Sequence, residues 1–152
     1  MTESFGAPRD PAVLNSDEKL FAMLSHLSFF FGGIILPIIF WAVNKDKSKF
    51  AVFHSLQALW FHIAVIALFV ILIIVFVFGG IGLGILTADR GGKSMPVAFI
   101  IAMVIFYCLL FIVGIGAMIY SIVMSIKSYK GEYAKYPFIG HLVFKKIYGK
   151  AS

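Results

Sequence analysis

Asp, Glu, Lys and Arg are absent from three long stretches of the chain, Leu20 to Asn44, Phe50 to Ala88 and Ser94 to Ile126. A hydrocarbon layer of about 30 Å takes about 20 apolar residues in helical form, and each window exceeds that. The pattern predicts an all-α integral membrane bundle with three transmembrane helices, at about 20–43, 51–79 and 96–126. The Ile-, Val- and Phe-rich second window reads as helix, because an open sheet in lipid leaves backbone groups unpaired and the strict alternation of a membrane barrel is missing. It is nearly long enough for two spans, but Gly79, Gly80, Gly82 and Gly84 crowd its end, so a turn there leaves too short a return. One long helix is expected.

Local signals place the boundaries. Ser16, Asp17 and Glu18 read as a helix start, with a capping hydroxyl and acidic residues at the positive end of the dipole. Gly32, Gly33 and Pro37 predict a bend inside the first span. Pro96 marks the start of the third, after a short polar loop at Thr87 to Ser94 that contains Asp89, Arg90, Gly91 and Gly92. Three parts follow: a polar, disordered N-terminus over 1–15, a membrane domain over 16–127 and a basic tail over 128–152. In the tail, Phe138, Leu142 and Ile147, with Val143 alongside, oppose His141, Lys145 and Lys146, the pattern of a helix lying in the membrane interface. Tyr133, Tyr136 and Tyr148 suit the headgroup level. Ala117, Ser121 and Ser125 recur every four residues, as does the pair Gly80 and Gly84, spacing that serves close helix packing.

Composition agrees with this reading, at 61% hydrophobic and 13% charged residues. The polar start, with Pro8 and Pro11, lacks the basic and apolar regions of a cleavable signal. Cys108 is the single cysteine, so no internal disulfide forms. The formal charge of +6 comes from lysines flanking the spans, which set orientation and meet anionic lipid. With three spans, the Lys45 to Lys49 loop and the tail share the lysine-rich, cytoplasmic side. The expected topology is N-terminus outside and C-terminus inside, in the cell inner membrane. No recognition fold accompanies the basic residues, which argues against nucleic acid as a partner.

Four pieces carry a family resemblance: Glu18-Lys19-Leu20 with Ser25-His26-Leu27; Pro37 to Trp41; Lys45 to Phe50 with Phe53-His54 and Gln57-Ala58; and Lys130-Gly131-Glu132 with Tyr136-Pro137. In order and spacing the chain resembles the Tic20-like family, small bacterial membrane proteins grouped with the twenty-kilodalton subunit of the chloroplast inner-envelope protein translocon. The resemblance covers roughly residues 16 to 140. It implies a small multi-pass subunit, with protein translocation as the associated process, and it picks out His26, Pro37, Trp41, Lys49, Phe50, Phe53, His54, Gln57, Ala58, Gly131, Glu132, Tyr136 and Pro137 as motif and packing residues.

His54 and Gln57 lie three apart and share a helix face with Ala58 and Phe61, with His62 at its edge. Histidines inside a membrane raise the question of a proton path, a metal or haem. The plainer reading is that His54 bonds to the loop or the first helix while Gln57 joins helices. The spans hold no carboxylate and His26, His54 and His62 are widely spaced, which argues against a metal. With the first span running outward to inward, His26 is expected toward the outer side and His54 toward the inner, leaving His26 with His62 as the candidate haem pair. No nucleophile and base, phosphate loop or acidic pair is present, so neither catalysis nor a cofactor is expected. The leading expectation is a non-enzymatic subunit or accessory factor of a larger membrane complex. A homo-oligomeric small transporter or channel and a haem-binding redox protein are the alternatives.

Overall fold

The computed structural model describes residues 8–88 and 97–149. Within them every regular element is helical: a 3-10 turn at Pro11–Val13, α1 (Ser16–Phe31), α2 (Ile35–Asn44), α3 (Lys49–Ala88), α4 (Val97–Tyr129) and α5 (Ile139–Tyr148). Pro96 and the polar loop with Asp89, Arg90, Gly91 and Gly92 lie outside the described residues, as do Lys150 and the first seven positions. Among the described residues two helices are long and apolar enough to cross a membrane, Lys49–Ile85 and Phe99–Tyr129. They correspond to the second and third windows. The glycines at 79 to 84 stay helical, because four glycines cost helix stability without removing any backbone donor.

The expectation of three spanning helices fails at the first window. Phe21 and Phe40, nineteen positions apart, bring their ring centroids to 5.5 Å, whereas one straight helix would hold them about 28 Å apart. The window is therefore a hairpin of α1 and α2. The reversal lies at Gly32 and Gly33, where the amides of both donate to the Ser28 carbonyl, at 2.9 and 2.7 Å, closing α1. Gly33 takes φ +48°, a conformation that costs an L side chain energy. Pro37 sits in the first turn of α2, where its missing amide breaks no helical bond. It starts the second arm rather than bending one long helix. The start of α1 is capped by Asn15, one residue before the predicted Ser16, in a reciprocal box with Glu18.

By internal packing the chain divides into two compact units, residues 1–64 with 118–152, and residues 65–117. The second consists of helical segments joined by ring contacts, with Phe76 stacked on Phe106 at 4.2 Å and 10°. The first contains the hairpin, the start of α3, the end of α4, and the segment carrying α5. Leu14, Ala22 and Phe50 form a small apolar core there with Tyr133 against it. At one end of this unit Arg9 pairs with Glu18, the Arg9 amide donates to the Tyr133 hydroxyl at 3.0 Å, and Ser48 bonds to Glu18. The N-terminal segment, the 45–49 turn and the C-terminal segment thus meet.

Helix α5 follows the interfacial pattern in part. Phe138 and Leu142 are exposed, but Val143 is buried and Phe144 packs edge-on against Phe53 at 5.5 Å. Gly131, at φ +85°, ends α4 with Pro11 beneath it, where an added Cβ would meet the Pro11 Cβ at 3.0 Å and its Cα at 3.2 Å.

Two tests follow from these ties. Gly131→Ala is expected to cost about 1–2 kcal/mol from backbone conformation alone, read by thermal unfolding in detergent. Burial pushes the Glu18 carboxyl up, but the hydrogen bonds from Ser48, Arg9 and the Asn15 amide outweigh it and hold it below its usual value. A carboxyl lowered by folding stabilises fully above its unfolded value of about 4.3 and loses that contribution as pH falls through the folded value. An acid titration of unfolding should show this loss below about pH 4.3, and Glu18→Gln should flatten it.

A buried histidine network as candidate functional site

The residues singled out in sequence converge on one buried cluster in the first unit. Phe50, Phe53, His54, Gln57 and Ala58 are fully buried on α3, joined by His26 of α1 and by Tyr136. His26 and His54 do not lie at opposite depths, as a spanning first helix required. The hairpin returns α1 alongside α3, so His26 Nε2 lies 3.0 Å from His54 Nδ1.

Hydrogen-bond chemistry assigns the ring protons of His26 and His54. The Glu132 carbonyl, 3.1 Å from His54 Nε2, can only accept, so Nε2 carries the hydrogen and Nδ1 of the neutral ring is bare. His26 Nε2 must then donate to it, since two lone pairs would otherwise face each other. His26 Nδ1 is left as acceptor and takes the Tyr136 hydroxyl proton at 3.1 Å. Gln57 Nε2 donates to the Ala134 carbonyl at 3.0 Å and shares His54 Nδ1 at 3.0 Å, while its Oε1 accepts the Tyr136 amide at 3.4 Å. Burial pushes the Tyr136 hydroxyl well above its ordinary value, which keeps it a donor. Its ring lies flat on Phe61, with centroids 4.2 Å apart and 6° between planes. Ser121 on α4 donates to the His26 carbonyl at 2.9 Å, and Ser25 and Ser55 join α1 to α3 at 2.8 Å.

The network thus joins α1, α3, α4 and the 132–136 segment, and with both imidazoles neutral each ring takes a single tautomer. Both ring nitrogens of His26 are engaged, so the His26 and His62 pair has no free ligand atom on His26. His62 stands apart, donating from Nδ1 to the Gly33 carbonyl at 3.0 Å. Among the described residues no group of three or more His, Cys, Asp or Glu is placed to hold a metal ion. Lys49 and Trp41 are exposed and Pro137 lies at the surface, whereas Glu132 enters the network only through its carbonyl. Sequence reasoning missed Ser25, Ser55 and the Ala134 carbonyl as partners. Serine spacing alone does not distinguish a bonded pair from ordinary small-residue packing.

His54→Phe should be the most damaging single change. It strands the His26 Nε2 donor, one Gln57 hydrogen and the Glu132 carbonyl, each costing about 1–3 kcal/mol when buried. Tyr136→Phe strands His26 Nδ1 and removes the Ser121 contact of the hydroxyl, and should cost about 1–3 kcal/mol. Unfolding in detergent gives the ranking, and faster amide exchange at Tyr136 in Gln57→Leu checks the Oε1 contact.

No curated protein and no solved structure matches the chain. The model of the MamF/MmsF family, the magnetosome magnetite crystal formation protein family, matches residues 17–143. This match overturns the Tic20-like resemblance. The pieces that carried the resemblance are mostly those that build the buried network and its turns, which report how helices pack and carry less information about which family packs them so. The chain is a helical membrane protein and belongs to the MamF/MmsF family.

Proposed function

We propose that this protein is a non-enzymatic membrane subunit serving magnetite crystal formation, held in the bilayer by two spanning helices and one re-entrant hairpin. The observation that carries the reading is the closed hydrogen-bond network. Its polar atoms bond to one another and to backbone, which supports a structural role for His26 and His54. The family's association with crystal formation supplies the process, and the role within it is that of an accessory factor in a larger membrane assembly.

The proposed topology differs from the one expected for three spans. With α1 and α2 returning to the side they leave, the N-terminus, the 45–49 turn and the tail all face the cytoplasm. The meeting of Arg9, Glu18, Ser48 and Tyr133 supports this. So does charge: of the chain's 13 Lys and Arg, only Arg90 and Lys93 then fall on the far side, a stronger positive-inside bias than three spans give.

Reporters fused before residue 1 and after residue 152, and a third inserted at Gly91, test the arrangement. The termini are expected on the cytoplasmic side and the insertion opposite; an N-terminus on the far side restores the three-span topology and removes this one. Copurification tests the assembly. Stoichiometric foreign membrane subunits are expected, and a chain that purifies alone or only with itself counts against the subunit role.

A further inference from the structure

We infer that the α1–α2 hairpin and α5 insert into one leaflet only, the cytoplasmic one, and expand it, so that the protein favours anionic membrane that is convex toward the cytoplasm. This rests on the two-span topology proposed above. Three observations within the first unit carry it.

The first is depth. The hairpin tip is fixed to α3 by the bond from His62 Nδ1 to the Gly33 carbonyl. His62 lies thirteen residues into α3 from Lys49, about 20 Å along the axis. Half a hydrocarbon layer is about 15 Å, and the lysine sits in the headgroups beyond it, so the tip comes to rest near the bilayer midplane. The ten residues of α2 measure about 15 Å, the thickness of one leaflet.

The second is surface chemistry. Beside the tip, Phe31 is 86% and Ile35 64% exposed, and α2 also presents Ile38, Ile39 and Val43. Facing water, these side chains would each forgo the gain of burial; facing acyl chains they cost nothing. The tip is also tied to the end of α1, with the Ser28 hydroxyl bonded to the Ser25 carbonyl at 2.7 Å and reaching the Gly33 carbonyl at 3.2 Å.

The third is α5. A tight turn in which the Ile139 amide donates to the Pro137 carbonyl at 2.7 Å holds Phe138 at φ 59° and ψ −62°, a rare and strained geometry. It leaves Phe138 86% exposed and Leu142 70% exposed, on a helix whose exposed Lys145 and Lys146 suit anionic headgroups. Phe144 against Phe53 and buried Val143 fix this helix to the same unit as the hairpin. Each inserted helix brings a cylinder about 10 Å across into the leaflet, and shallow amphipathic insertion is sensitive to curvature and lipid charge.

The test uses the full chain reconstituted into vesicles of phosphatidylglycerol with phosphatidylethanolamine, and into neutral phosphatidylcholine vesicles, with diameters measured by cryo-electron microscopy as protein is raised. Mean diameter is expected to fall on the order of twofold in anionic lipid and much less in neutral lipid. Phe138→Ser with Leu142→Ser, both at exposed positions, should weaken the contraction without changing the two spans. A spin label on Phe31→Cys in a Cys108→Ala background should report the oxygen accessibility of the midplane. Unchanged diameters at every protein ratio, with the label at the midplane and both termini cytoplasmic, would overturn the curvature inference and leave the topology standing. Contraction indifferent to lipid charge, or untouched by the α5 variant, would overturn it as well. A label at the far water interface, with an N-terminus outside, would overturn the topology itself.

Discussion

The hydrogen bond from His26 to His54 is the contact on which the rest of the first unit depends. In a membrane interior, water does not satisfy a polar group that loses its partner, so a buried polar cluster holds only when every donor finds an acceptor. Here one carbonyl decides the whole arrangement. Glu132 forces a hydrogen onto His54 Nε2, which bares Nδ1, which turns His26 into a donor, which in turn requires the Tyr136 hydroxyl to point back. Three separate parts of the chain, α1, α3 and the 132–136 segment, are thereby held in register by neutral groups, with no charge taken into the low-dielectric interior.

That contact exists because the first apolar window turns back. Twenty-five uncharged residues have the composition of a span, and hydropathy alone treats them as one. The glycine pair changes the outcome: Gly33 takes a positive φ, and both amides close on the Ser28 carbonyl, satisfying backbone groups that a reversal at membrane depth would otherwise leave bare. His62 secures the same turn from α3. A reversal at the depth proposed for this hairpin is tolerated where its backbone groups are satisfied, and His62 meets the Gly33 carbonyl.

The sequence made the membrane character, the two long helices and the cluster's membership legible, because charge-free windows and rare intramembrane polar residues are strong local signals. His54 and Gln57 stood out by spacing, and Gly131, Glu132 and Tyr136 by resemblance, although the family they pointed to was the wrong one. The hairpin was not legible, since Gly32, Gly33 and Pro37 are as consistent with a kink as with a reversal. Which of the two forms depends on tertiary bonds such as His62 to Gly33, absent from any local pattern. Misreading the hairpin placed His26 and His54 at opposite depths, so one error at two glycines carried through to the site and to the topology. The Asn15 cap, by contrast, was missed by a single residue because Asn and Ser serve that position about equally well.

The assigned protons also bear on the structural use proposed for His26 and His54. From Tyr136 through His26 to His54 each hydrogen points the same way, which by itself would suit a relay. A relay needs a terminal group able to hold a proton and pass it on. The last acceptor is a peptide carbonyl, which does neither, and the first donor is a phenol that burial keeps protonated. Adding a proton to His54 Nδ1 would set donor against donor at its 3.0 Å contact with His26. Neutral histidine suits this site for a simpler reason: one rigid ring offers a donor and an acceptor on different edges, so it joins two elements at a fixed angle. Serine bonds from a freely rotating hydroxyl, and asparagine presents both functions at the same end. Two such rings in series, closed off at both ends, join the hairpin, α3 and the C-terminal segment.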